Sequence, residues 1–230
     1  MRRHAALGES GMHRLLRIVT LAGIGLLGGC NMVISQEPWF AADAAGPRLK
    51  QGLWANLDAA GCTFDADKPV EEWPECAEPM FVRGDDYILR VETDQDKAPE
   101  WQTVPHLVVA GTPLIDQIEW RDKDRGGERA KRVYLYTALA ATGRDADGTI
   151  TATRRWLVQC GPLDQSKESA SAPPRLVTSK PFPELKLDGA SNCTAVSADA
   201  VRGAARLSEA IATQDGDKPV MGRWVREETR

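Results

Sequence analysis

Histidine is almost missing from this chain: His4 and His13 fall in the first 29 residues, and His106 is alone in the rest. A Ser, Thr or Cys nucleophile wants a base beside it, most often histidine, so triad chemistry is left with one candidate base. That residue follows Pro105 at the start of an apolar run and reads as a structural or surface histidine. There is no Gly-x-Ser-x-Gly elbow and no Ser-x-x-Lys, and hydrolase chemistry of those kinds is disfavoured. No Cys-x-x-Cys and no close His pair offers the spacing that zinc usually takes, so no metal is expected. Asp145-x-Asp147-Gly148 and Asp122-x-Asp124-x-Gly126 suggest calcium loops, yet Arg154 and Val133 stand where an EF-hand needs a bidentate Glu. Both are read as turns. Glycine-rich phosphate loops are absent, and no cofactor is expected. Without a Lys/Arg run the acidic chain lacks the charge footprint that nucleic-acid or anionic-membrane binding requires, and neither is expected of its body. Past the N-terminus no apolar run reaches the roughly 18 residues of a membrane-spanning helix.

What the N-terminus does contain is a secretory signal pattern. Leu15 to Gly29 is apolar apart from Arg17, follows basic residues, and ends Leu26-Leu27-Gly28-Gly29-Cys30. Met12 opens a compact basic start and is read as an alternative first residue. Residues 1–29 carry four arginines against Glu9, so setting them aside moves the formal charge from −4 to −7. In a chain that is 42% hydrophobic as a whole, the acidic remainder can still bury a core of its own.

Leu27-Gly28-Gly29-Cys30 resembles the lipobox of bacterial lipoproteins, read by signal peptidase II. The resemblance implies cleavage before Cys30, a diacylglyceryl group on its thiol and acylation of the new amine. The Asn31 that follows is not Asp, which resembles an outer-membrane address. Residues 30–45 are then expected to be a lipidated tether, and 46–230 a single domain beyond it.

Cys62, Cys76, Cys160 and Cys193 remain, an even number in a chain read as exported, and two disulfides are expected. Four cysteines allow three connectivities. Pairing of neighbours, Cys62 with Cys76 and Cys160 with Cys193, is favoured because each closes a loop between adjacent segments. The first would pin the Pro-rich stretch from Asp65 to Pro79. The second would staple the end of a strand to the start of a helix across a Pro-rich loop.

Apolar residues recur mainly with period two between Gly, Pro, Asp and Asn clusters, which argues for antiparallel strands. The candidates are Leu53 to Leu57, Tyr87 to Glu92, His106 to Ala110, Leu114 to Trp120, and a hairpin of Arg132 to Thr142 with Thr149 to Cys160 across Asp147-Gly148. In the last arm Ile150, Ala152, Trp156 and Val158 share one parity. Thr151, Thr153, Arg155 and Gln159 share the other, which is expected to be wet. One helix is expected from Ala198 to about Thr213, capped by Ser197, and a closing strand from Val220 to Arg226. The fold class is therefore mainly β: one antiparallel sheet or barrel with a C-terminal helix packed on it and two disulfides.

Seven tryptophans stand against three tyrosines and four phenylalanines. Core packing accounts for most of them, but a small Trp-lined barrel has room for one apolar ligand. Gly52-Leu53-Trp54 opening the first strand, a helix after the main strands and a closing strand are similar to the lipocalin arrangement. That similarity implies an arginine covering Trp54 from near the barrel's end, Arg223 or Arg226, in a cation-π contact of about 0.5–2 kcal/mol. Trp54, Trp73, Trp156 and Arg223 are the candidate binding residues. Trp73, flanked by Glu71, Glu72, Glu75 and Glu78, also suggests a sugar-binding surface, with a solvated acidic loop as the plainer reading.

The expectation is a non-catalytic lipoprotein of the bacterial envelope. It would be held by Cys30 in the outer membrane, face the periplasm, and bind or support an envelope protein. One alternative is a lipocalin-like carrier of a small apolar ligand, which needs an empty interior. Another is a hydrolase of envelope glycans, which needs two carboxyl groups about 5 to 10 Å apart in a cleft.

Overall fold

The structure, a computed structural model, describes residues 31–57, 61–91, 99–122, 131–163, 178–188, 192–214 and 219–228. Its strands are β1 (Val33–Ser35), β2 (Gly52–Leu57), β3 (Ala77–Arg83), β4 (Asp86–Val91), β5 (Glu100–Val109), β6 (Leu114–Asp122), β7 (Lys131–Arg144), β8 (Ile150–Leu157), β9 (Leu185–Asp188), β10 (Asn192–Ala195) and β11 (Val220–Arg226). The helix, α1, is Ala198–Gln214.

Eight strands close on themselves. β2 to β8 pair in chain order, each antiparallel to the last, and β11 lies between β8 and β2. Closure leaves no edge in this ring. β1 continues the ladder along β7 at Ile34↔Leu135, and β10 and β9 extend the sheet outward from it.

The barrel buries residues on both sides of its wall. Inside, Trp54, Met80, Val82, Val104, Leu139 and Ile150 pack together. Outside, Leu53, Ala55, Phe81 and Ile88 lie beneath Val70 and Trp73 of the segment joined by Cys62–Cys76. On another flank Tyr136, Ala138 and Trp156 are covered by Val201, Ala204 and Ala205 of α1. The helix starts where its cap directs it, with the Ala200 N–H donating to Ser197 Oγ at 3.0 Å.

Both disulfides join the expected partners. Cys193 lies in β10, however, so the second bridge ties the end of β8 to a strand that precedes the helix. At the β7–β8 hairpin the Gly148 N–H donates to the Asp145 carbonyl, and Gly148 takes φ +86°, where glycine is favoured. Gly52 has φ +120°, and a Cβ there would run into the Arg226 carbonyl.

Within the expected 30–45 tether, residues 31–35 are part of the fold. Met32 and Val33 are buried, and Asn31 is only 2% exposed. The apolar run Met32–Ile34 finds its partner in the sheet, so the fold already includes the chain from Asn31 on. Beyond β1 the chain runs along the outside of the barrel, where the Gln117 side chain bonds both the N–H and the C=O of Phe40 at 3.0 and 3.1 Å. It then tucks Leu49 beside Ile150 in the interior core. Residues 1–30, with the signal pattern and Cys30, lie outside the described residues.

Candidate functional site

Across the barrel's middle runs a layer of polar side chains from four strands: Tyr87 of β4, His106 of β5, Asp116 of β6 and Arg155 of β8. Period-two alternation aims each inward, beside apolar neighbours such as Val104 and Ile118. The Tyr87 hydroxyl donates to Asp116 Oδ2 at 2.6 Å, and Arg155 Nη2 donates to the Tyr87 oxygen at 2.9 Å. His106 Nδ1 lies 3.1 Å from Asp116 Oδ1, and Arg155 Nη1 lies 3.4 Å from Oδ2. The His106 ring stacks on Tyr87 with centroids 3.6 Å apart.

Asp116 is wholly buried and Arg155 is 4% exposed, so this ion pair sits where an unpaired charge would cost several kcal/mol. Burial opposes the Asp116 charge, but His106, Arg155 and Tyr87 outweigh it and hold the carboxyl below its usual range. Burial pushes the Tyr87 hydroxyl well above the ordinary phenol value, and Asp116 acts in the same direction against Arg155. Burial would weaken the Arg155 charge, yet Tyr87 and Asp116 raise its affinity for the proton. The layer is therefore ionised at Asp116 and Arg155 and neutral at Tyr87.

Above the layer a narrow crevice opens among Asn56, Glu78, Met80, Tyr87, Ile118 and Arg155, with space for about one water. Arg155 Nε and Asn56 Oδ1 are buried there without a hydrogen-bond partner. Among the described residues His106 Nε2 also lacks one, and no described hydroxyl or thiol stands within reach of this second nitrogen. The layer thus holds a histidine oriented by a carboxylate, with no nucleophile beside it among the described residues.

The residues singled out from sequence are not gathered into one site. Trp54 lies inside the barrel, its indole N–H donating to the Lys50 carbonyl at 2.7 Å. Trp156 lies outside under α1 and donates to the Ala205 carbonyl at 2.9 Å. Trp73 is 9% exposed and packs on Phe64 with centroids 4.4 Å apart, so it offers no stacking surface for a sugar. Arg223 does not cover Trp54. In the ladder Arg223 pairs with Ala55 and Arg226 with Leu53, both on the outer face, and the Arg223 guanidinium rests 4.7 Å from the Phe64 ring centre. Arg226 bonds Glu228 and the Ala66 carbonyl instead.

The expected wet face of β8 is also corrected. Thr153 is wholly buried, Arg155 nearly so, and both face the interior, because α1 covers the opposite face at Trp156. Register shifts between Ala141, Gly143 and Arg144 separate Ile150, which is inside, from Trp156 of the same parity, which is outside. Sequence reading missed Tyr87, Asp116 and Arg155 as partners. The signal available was Asp116 sharing parity with Leu114 and Ile118, an acid on an apolar face.

Among the described residues no group of three or more His, Cys, Asp or Glu side chains is placed to hold a metal ion. No protein-family model, no curated protein and no solved structure matches this chain.

Proposed function

We propose that this chain is a non-catalytic lipoprotein of the bacterial envelope, anchored through Cys30 in the outer membrane and facing the periplasm, where it binds or supports an envelope protein. The observation that carries the binding role is the packed barrel. With Tyr87, His106, Asp116 and Arg155 interlocked across its middle, recognition falls to the outer surface. There, among the described residues, β9 is the end strand of the sheet, and its Leu187 is 45% exposed. An end strand leaves backbone donors and acceptors free to pair with another chain. The Leu27-Gly28-Gly29-Cys30 pattern and two closed disulfides support export and anchoring.

The carrier reading requires interior space, and the crevice offers about one water's worth. The glycan-hydrolase reading requires a cleft that admits a sugar between two carboxyl groups, and the crevice lined by Glu78 has space for about one water. To test the proposal, a photo-crosslinker replaces Leu187 in the lipidated protein within its own membrane, with Arg83 as the control position. An adduct to one envelope protein from position 187 alone, lost when Cys30→Ser releases the body, is expected. Equal adducts from both positions, or none, would count against protein docking through β9. A small molecule retained in native mass spectrometry would turn the reading toward the carrier.

A further inference from the structure

We propose that the flank of the barrel around Asn31, carrying Pro162, Ser179 and Lys180, is seated on the lipid headgroup layer, with the Lys180 ammonium against headgroup phosphate. The inference rests on the anchor reading above and adds a surface, an orientation and a contact to it.

The argument is one of reach. Consecutive Cα atoms are about 3.8 Å apart, so a lipidated Cys30 stands no further than that from Asn31. Asn31 itself cannot move outward. It is 2% exposed, its side-chain N–H donates to the Gly161 carbonyl at 2.7 Å, and its own carbonyl accepts from the Cys160 N–H at 2.9 Å. Its φ of +44° adds a sharp change of chain direction at this residue. A diacylglyceryl group on the Cys30 sulfur has its glycerol at headgroup depth, in a layer roughly 5–8 Å thick on each side of the bilayer. Without slack, the surface next to Asn31 lies in that layer.

Neighbours of Asn31 identify this surface. Gly161 runs into the exposed Pro162, and a Cβ on Gly161 would collide with the Lys180 carbonyl, which places the Lys180 backbone alongside, within a lysine side chain's reach of this layer. Ser179 and Lys180 are both exposed. An ammonium at this depth meets lipid phosphate, a favourable contact at an anionic membrane surface.

The test compares lysine reactivity in the purified lipidated protein, reconstituted in phosphatidylethanolamine and phosphatidylglycerol vesicles, with the Cys30→Ser protein mixed with the same vesicles. A membrane-impermeant amine reagent is read out by peptide mass spectrometry as the ratio of Lys180 to Lys68, whose side chain is 54% exposed in the disulfide loop. At least a fivefold lower ratio in the lipidated protein is expected. Insertion of eight Gly/Ser residues between Cys30 and Asn31 should restore the ratio while the protein stays on the vesicles. An unchanged ratio with the wild-type protein vesicle-bound and Cys30→Ser in solution would overturn the seating and leave the anchor standing. Co-flotation of Cys30→Ser with the vesicles would overturn the anchor itself.

Discussion

The Tyr87 hydroxyl donates to Asp116 at 2.6 Å while its oxygen accepts from Arg155 at 2.9 Å, so one phenol oxygen bridges both members of a buried ion pair. The four residues of the layer come from four strands, β4, β5, β6 and β8, that are not all adjacent in the ring. Their hydrogen bonds therefore cross the interior and brace it in a way that ladder bonds between neighbours cannot. Asp116 and the Tyr87 hydroxyl are paired throughout while Arg155 Nε and His106 Nε2 are not, so the cost of removal is highest at Asp116.

Replacing Asp116 by Asn tests that cost. The substitution keeps the shape but leaves the Arg155 guanidinium uncompensated in the interior, and removal of one partner of a buried pair typically costs about 3–5 kcal/mol. Urea unfolding of the oxidised protein should show a loss of this order. The double variant Asp116→Leu with Arg155→Met, which removes both charges, should recover much of it. A change under about 1 kcal/mol for Asp116→Asn would mean that the pair is not shielded from water as its burial implies.

The same layer sets a pH window. The Asp116 carboxyl is depressed in the folded state, so its contribution is present above the unfolded value of about 4 and is lost as pH falls through the lower folded value. The Tyr87 hydroxyl is raised, so its contribution is present below about 10 and is lost as pH rises toward the higher folded value. Thermal unfolding should show a plateau between these limits and a fall on each side. Tyr87→Phe should flatten the alkaline fall relative to wild type, measured against each protein's own stability at pH 7.

Elements bounded by local chemistry were legible in the sequence. Asp147-Gly148 marked the hairpin, Ser197 marked the helix start, and four cysteines at their spacing marked two closed loops. β3 was hidden because Pro74 and Pro79 read as irregular chain. Pro79 pairs with Ala55 of β2 and precedes the β3–β4 ladder, which starts at Met80↔Leu89, so its missing N–H breaks no bond on the β4 side. The layer was hidden for a different reason. Alternation tells the two faces of a strand apart but does not say that both are buried, and β8 has α1 on one face and the barrel interior on the other. Arg155 consequently reads as solvated from sequence alone. β1 was too short to separate from a linker, and its partners in β7 and β10 lie about 100 and 160 residues away.

The two disulfides should differ in value. In the chain-entropy account the cost of losing a bridge grows with the loop it closes: about 3 kcal/mol for a loop near 15 residues and nearer 4 for one twice as long. Cys62–Cys76 spans a separation of 14 residues and Cys160–Cys193 one of 33. The second also ties the strand that β1 pairs with, since the Cys193 N–H donates to the Met32 carbonyl at 3.0 Å. Denaturant midpoints of the two paired Cys→Ala variants should therefore rank with Cys160–Cys193 the more damaging. The reverse order would place the larger share of native constraint in the loop over Trp73.

Asn31 carries a structural demand of its own, apart from any address it supplies to an export machinery. Its amide N–H donates to the Gly161 carbonyl inside the fold, and its backbone sits in the left-handed region that Asn tolerates better than most residues. An Asp at this position keeps the backbone preference but sets a carboxylate oxygen against the Gly161 carbonyl, with the donor gone. Loss of a buried hydrogen bond with an acceptor left unpaired costs about 1–3 kcal/mol. Asn31→Asp should lower the unfolding midpoint of the soluble body, compared with the same body carrying Asn31. An Asn31→Gly variant separates the two contributions, since it keeps the left-handed backbone without strain and removes the side-chain bond. If Asn31→Asp leaves stability unchanged while altering membrane location, the residue acts through sorting alone and the buried bond to Gly161 contributes nothing measurable.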